Sequence, residues 1–175
     1  MKLLITGGTT FVSKFTAEHF VKNGDEVYVL NRGSRRQPDG AKYIEGDRTQ
    51  LGDKLKGMRF DAVLDITAYT QEHVQALLDS GIEFDDYIFI SSSAVYPETN
   101  VQPFTEEQPC GFNSIWKDYG TNKLKAEEYL KERVPNAYIL RPPYFSESTT
   151  IFTARRFRLT APPKTDRFTF PGTEK

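Results

Sequence analysis

A chain of 175 residues with 38% hydrophobic and 27% charged positions reads as one globular domain able to bury its own core. Its formal net charge of −1 gives no overall bias toward nucleic acid or anionic membranes, and a single cysteine, Cys110, excludes an internal disulfide framework and fits a reducing, cytoplasmic setting. No apolar run reaches the ~18 residues of a membrane span, a first strand starting at Lys2 leaves no room for a signal peptide, and His19 and His73 lack ligand-like spacing, so no metal site is expected.

In chain order, KLLIT (2–6) is a buried-type strand, and 11–22 is a helix closed by Asn23-Gly24. EVYVL (26–30) is a second strand, followed by the polar loop 31–40 with three arginines. AKYIEG (41–46) is a third strand, 49–56 a short helix, DAVLDI (61–66) a fourth strand and 70–79 a helix. DYIFIS (86–91) is a fifth strand, 97–113 a long proline-bearing loop, 114–133 the longest helix and AYILR (137–141) a sixth strand. The strands are continuous apolar runs rather than alternating ones, as a sheet covered on both faces requires. Alternating strands and helices with right-handed crossovers predict an α/β, doubly wound, Rossmann-type parallel sheet. Ligands then sit where the strands end: Gly7–Phe11, Asn31–Arg32, Asp47–Arg48, Thr67–Tyr69 and Ser91–Ser93.

The stretch TGGTTFVS (6–13) joins the first strand to the first helix, as a pyrophosphate loop does. Gly7 and Gly8 supply the turn, while Thr10 and Ser13 stand where a dinucleotide fingerprint places glycines. Serine is the milder change, because its position is one of helix packing; Thr10 carries a hydroxyl able to meet phosphate. At the end of the second strand, Asn31 replaces the carboxylate that would select the free ribose hydroxyl of NAD. With Arg32, Arg35 and Arg36 close by, this favours NADP. A solvated basic loop explains the same arginines.

In YGTNK (119–123), Tyr119 and Lys123 are four apart and share a helix face. A nearby ammonium stabilises a phenolate and so lowers a tyrosine pKa, making Tyr119 a usable acid/base. Ser91, Ser92 and Ser93 put hydroxyls at the sheet's carboxyl edge, where one can hold a substrate oxygen. Each element alone occurs by chance; the order glycine loop, serine, Tyr-x-x-x-Lys is much more specific.

With these residues the chain resembles the extended short-chain dehydrogenase/reductase superfamily, the NAD-dependent epimerase/dehydratase family. Its atypical members carry TGGTTF (6–11), NRG (31–33) and GDR (46–48) as here, and the likeness runs on through FDAVLDITAY (60–69), YIFISSSAVYP (87–97), FTEEQP (104–109), YGTNK and LRPPY (140–144). The resemblance implies Tyr119 as acid/base, Lys123 on the nicotinamide ribose and Ser92 on the substrate oxygen, with Ser93 a poorer substitute. It implies Gly7, Thr9, Thr10, Phe11 and Val12 around the pyrophosphate, Asn31 and Arg32 at the adenosine ribose, and Asp47 with Arg48 at the adenine. Ile66, Thr67 and Ala68 would line the cofactor's middle, and Pro142, Pro143 and Tyr144 the nicotinamide end.

The resemblance further implies NAD(P) as cofactor and a sugar nucleotide or related hydroxyl or ketone substrate. It implies a homodimer formed through the Tyr-x-x-x-Lys helix and its neighbour, with exposed apolar surface there. Residues 1–145 are then the cofactor domain, and 146–175 the beginning of a substrate lobe, cut short, in which Arg155, Arg156 and Arg158 would face a diphosphate. Ser93 and Ala94 after Ser92, where sugar-nucleotide dehydratases place acids, do not support 4,6-dehydration. Some relatives with this loop type are RNA-binding or regulatory proteins, so an inactive NAD(P)- or RNA-binding protein of the same fold is the alternative, with a truncated product as a third reading.

Overall fold

The computed structural model describes residues 1–98 and 105–143. The expected lobe over 146–175, Tyr144, and part of the loop between the fifth strand and the last helix lie outside the described residues. Six strands form one sheet: β1 Lys2–Thr6, β2 Glu26–Asn31, β3 Lys42–Glu45, β4 Arg59–Asp65, β5 Glu83–Ile90 and β6 Tyr138–Leu140. All pair in parallel, in the order β3-β2-β1-β4-β5-β6, an order of the doubly wound class expected from the alternation. The order reverses between β1 and β4, and the register brings Thr6, Asn31, Asp65, Ile90 and Leu140 to a common edge. The chain's functional candidates gather along that edge.

Three helices connect the strands: α1 Phe11–Lys22, α2 Gln71–Leu78 and α3 Asp118–Arg133. On one sheet face, Leu4, Leu30, Val63 and Phe89 pack with Val74 and Leu77 of α2 and Ala126 and Leu130 of α3. α1 lies over β1 and β2 and buries only Ser13 and Ala17, one turn apart. Small residues there let the helix start come close to β1. The carbonyl of Leu30 receives the amide of Gly7 at 2.8 Å, which ties the turn after β1 to β2.

Two expectations change. Residues 49–56 make successive turns rather than a helix, bonding Gln50 N to Asp47 O, Lys54 N to Leu51 O and Lys56 N to Asp53 O. Gly52, at φ +50°, breaks the helical course between them. The longest helix begins at Asp118, not 114, because Asn113 forms its own turn: its Oδ1 accepts the amides of Ile115 and Trp116, both at 3.0 Å. Asn113 Nδ2 donates to Tyr96 O at 2.8 Å, so this turn is anchored in the core.

α3 reaches the strand edge through Gly120. A Cβ at that position would lie 2.2 Å from the Ala94 carbonyl oxygen, inside the short 3-10 turn Ser93–Val95 that follows β5. Gly120→Ala is therefore expected to push α3 off this turn and to cost about 2 kcal/mol, lowering the thermal midpoint by roughly 4–8 °C in a domain of this size. Thermal unfolding by circular dichroism checks it; an unchanged midpoint would mean that the helix approaches less closely.

Candidate functional site

The turn after β1 has the backbone of an anion cradle. Gly7 and Gly8 both sit at positive φ, +92° and +85°. Neither position accepts a side chain, since a Cβ at Gly7 would lie 2.8 Å from Thr67 Cγ2 and one at Gly8 2.4 Å from Val29 Cγ1. Thr9 is half-buried and Thr10 exposed. Thr10 takes the cap position of α1 in an extended conformation without a side-chain capping bond, leaving its hydroxyl at the mouth of the loop. Phe11 has φ +44°, a left-handed conformation unusual for a non-glycine residue, and Val12 follows, half-buried. Ser13 is buried and donates its hydroxyl to Thr10 O at 2.9 Å, so it fits the close packing that glycine would otherwise serve. The first turn of α1 holds no acidic residue, and helix N-termini present amides and a positive dipole end to anions.

Beside this loop, the Asn31 amide is fully engaged. Its Nδ2 donates to Gly7 O at 2.7 Å and to Gln37 Oε1 at 2.8 Å, and its Oδ1 accepts from Gly33 N at 2.9 Å. Asn31 thus braces the glycine turn from β2. Arg32 and Arg35 are exposed, and Arg36 pairs with Asp39 on the surface. Asp47 is exposed at the end of β3; hydrogen bonds from the Thr49 hydroxyl and amide, with Arg32 nearby, hold its carboxyl below the usual range.

Arg48 turns inward. Nη1 donates to Asp65 Oδ1 at 2.8 Å and Nη2 to Asp65 Oδ2 at 3.0 Å, a two-pronged pair with a fully buried carboxylate. Thr6 donates to Asp65 Oδ1 at 2.8 Å and Tyr87 to Oδ2 at 2.7 Å. Burial opposes ionisation of Asp65, but Arg48, then Tyr87 and Thr6, hold its pKa below the ordinary carboxylate value. Burial and the Asp65 charge together push the Tyr87 phenol well up. The Thr6 oxygen also accepts the amides of Ile66 and Thr67, fixing the turn that carries Ile66, Thr67 and buried Ala68.

At the far end, Ser92 and Tyr119 meet. The Ser92 oxygen accepts the Ala94 amide at 3.2 Å and lies within hydrogen-bonding reach of the Tyr119 phenol. Ser91 is spent elsewhere, donating to buried Glu127 at 2.5 Å, and Ser93 ties its amide to Pro142 O at 3.1 Å. Lys123 is 2% exposed, and its Nζ donates to Ala68 O and Ile90 O, each at 2.7 Å. Burial brings its pKa down to about 8. The ammonium lies 6.0 Å from the Tyr119 ring and 5.2 Å from the Tyr69 ring. The Tyr119 pKa is raised, not lowered: its own burial outweighs the Ser92 hydrogen bond, and Lys123 faces two carbonyls. Tyr119 is therefore a phenol at neutral pH, with a proton to give.

The structure gathers Gly7–Val12, Asn31, Asp47, Ile66–Ala68, Ser92, Tyr119, Lys123 and half-buried Pro142 along one sheet edge, with exposed Pro143 beside it. The residues that hold this edge, Thr6, Asp65, Asn113 and Gly120, have no role in the sequence reading, although three of them lie inside the stretches TGGTTF, FDAVLDITAY and YGTNK. Asp65, a carboxylate directly after the apolar run Ala62-Val63-Leu64, is the one available signal. Of the apolar surface expected on the Tyr-x-x-x-Lys helix and its neighbour, Tyr119 is, among the described residues, the one large exposed apolar side chain on α3 and none lies on α2, while Phe112, Ile115 and Trp116 are exposed in the segment before α3. Among the described residues no group of three or more acidic, histidine or cysteine side chains could hold a metal ion, and no helix is long and apolar enough to cross a membrane.

No family model matches the chain. It is 29% identical over 161 residues to the chloroplast stem-loop binding protein of 41 kDa b of Arabidopsis thaliana, covering 82% of this chain and 42% of that protein. It is 30% identical over 157 residues to a UDP-glucose 4-epimerase of Lactobacillus helveticus, covering 74% of this chain and 46% of that one. The solved UDP-glucose 4-epimerase of Bifidobacterium longum in complex with NAD+ and UDP superposes with a TM-score of 0.66 at 21% identity, over 81% of this chain and 52% of that chain. The resemblance to the epimerase/dehydratase family thus holds in sequence, and the Rossmann-type fold holds in structure. The chain spans less than half the length of these two curated relatives.

Lys123 gives this site a stability signature. It binds fewer protons folded, with a pKa of about 8, than at the ordinary 10.5 of an unfolded lysine. Between those values the unfolded chain holds more protons, so the lysine's contribution to stability improves as pH rises through that window. The difference in unfolding free energy between the protein and Lys123→Met should shift toward the protein by up to about 3 kcal/mol from pH 8 to 10.5. Urea denaturation at both pH values measures it; a flat difference would place the ammonium in contact with water.

Proposed function

We propose that this chain is the cofactor-binding half of an NAD(P)-dependent oxidoreductase of the epimerase type, acting on a hydroxyl or ketone of a sugar nucleotide. The observation that carries the reading is the meeting of Ser92 and Tyr119 at the sheet edge, beside Lys123 and in line with the Gly7–Val12 loop. The loop fits a pyrophosphate: two glycines at positive φ, a helix start without acidic residues, and an exposed Thr10 hydroxyl. When bound, a nicotinamide cofactor supplies the hydride acceptor and donor.

The chain's own residues supply the rest. Lys123 has two of its three protons on carbonyls, leaving one to donate to a ribose hydroxyl. Ser92 orients the substrate oxygen and Tyr119 exchanges the proton at that oxygen. Asp47, exposed just after β3, meets the adenine, and the exposed Arg32 supplies a cation for a ribose 2′-phosphate, a residue choice that favours NADP over NAD. Pro142, tied to Ser93, borders the nicotinamide end. A cytoplasmic setting suits the single cysteine.

The likeness to a stem-loop binding protein favours one second reading, an RNA-binding protein that keeps the fold. It predicts salt-dependent RNA affinity, which a net charge of −1 does little to promote.

Tyr119→Phe tests the enzyme reading. Where this half works with a substrate-binding half, turnover of a UDP-sugar with NAD(P) should fall about 10²–10⁴-fold, while the chain's own cofactor affinity stays within a factor of about two. Equal turnover in the variant would remove Tyr119 from the chemistry.

A further inference from the structure

One guanidinium links the adenine side of the edge to the reaction side. Arg48 follows Asp47 directly, yet its four Nη bonds all go to the β4 side: to both oxygens of Asp65, to Thr67 Oγ1 at 2.9 Å and to His73 O at 2.9 Å. Thr6 holds the same turn from β1 through the amides of Ile66 and Thr67. The next residue, Ala68, is fully buried, and its carbonyl is one of the two acceptors of the Lys123 ammonium. Arg48 therefore clamps Asp65, Thr67 and the start of α2 on either side of the carbonyl that aims the lysine. A lysine could not replace it, since a single ammonium lacks the planar fork that reaches four acceptors in two directions.

We propose that Arg48 is a positioning residue for Lys123, fixing the 65–68 turn so that the Ala68 carbonyl holds the ammonium in place, and thereby coupling the loop at the end of β3 to the reaction end of the site. The proposal rests on the reading of Lys123 as a cofactor-holding residue. It differs from a purely structural ion pair in a testable way. A buried pair that only stabilises can be replaced by a neutral one with little loss, whereas a clamp cannot.

Arg48→Met alone leaves Asp65 buried and unpaired, so its expected defect is folding. The informative variant is R48M/D65N, which removes both charges while the introduced carboxamide still offers partners to Thr6 and Tyr87. Three measurements are made on it: thermal unfolding, NADH and NADPH titration, and the titration of the Lys123 side chain by NMR, assigned with Lys123→Met. The expected result is a folded variant whose Lys123 midpoint rises from about 8 by a unit or more, because entering water outweighs the net loss of the Asp65 charge, which raises it, and the Arg48 charge, which lowers it, and whose cofactor affinity drops about tenfold, the equivalent of one charge-assisted hydrogen bond. A folded variant with an unmoved Lys123 midpoint would overturn the proposal. If the parent protein binds no cofactor, the functional reading fails, and the lysine midpoint still decides the clamp.

Discussion

The buried carboxylate of Asp65 is the interaction on which the edge depends. It sits at the point where strand order reverses, between the two halves of the sheet. A lone charge there would be too costly to keep, so it is surrounded: Arg48 supplies the counter-charge, Thr6 and Tyr87 the remaining hydrogen bonds. Each partner comes from a different part of the chain. β1, the end of β3, β4 and β5 are thus joined at one point, and the turns that carry the glycine loop and Ala68 leave from it. The geometry of both ends of the site follows from one satisfied charge.

A second buried carboxylate plays a similar part on the other side. Glu127 of α3 receives Ser91 and the Arg141 guanidinium, and Arg141 also donates to the Tyr96 hydroxyl at 2.7 Å. This joins α3 to β5 and to the end of β6. With Gly120 against Ala94, it fixes where Tyr119 stands relative to Ser92. Backbone strain falls at the same places. Among the described residues, Phe11 and Lys117 are the non-glycine residues at positive φ, at the starts of the helix that follows the glycine loop and the helix that carries Tyr119. Such strain costs on the order of 1–3 kcal/mol each and persists where the surroundings over-determine it.

The succession of strands and helices, the doubly wound class and the shared sheet edge of the candidate residues are legible in the sequence because they follow from local signals: apolar runs, Gly7-Gly8 before a helix, and Tyr119 with Lys123 four residues on. The destination of side chains is not legible. Arg48 reads as one more cation beside a ligand, and only the fold shows that Asp65 lies within its reach. Ser91, Ser92 and Ser93 are equivalent as sequence; Glu127, 36 residues away, takes Ser91 out of the site. Helical spacing alone has Lys123 lowering the Tyr119 pKa, but the two carbonyls that receive its protons come from parts of the chain distant in sequence. The helix over 49–56 fails for a local reason: Gly52 favours a left-handed turn where periodicity alone suggests a helix.

On the proposed function, a turn with Thr10 and Ser13 in place of two glycines still cradles a dinucleotide pyrophosphate. Titration of the protein with NADH and NADPH, followed by fluorescence of Trp116, its single tryptophan, whose ring lies 6.0 Å from that of Tyr119, tests it most directly. Saturable binding that Gly8→Val abolishes is the expected result. A folded protein that binds neither cofactor would contradict it.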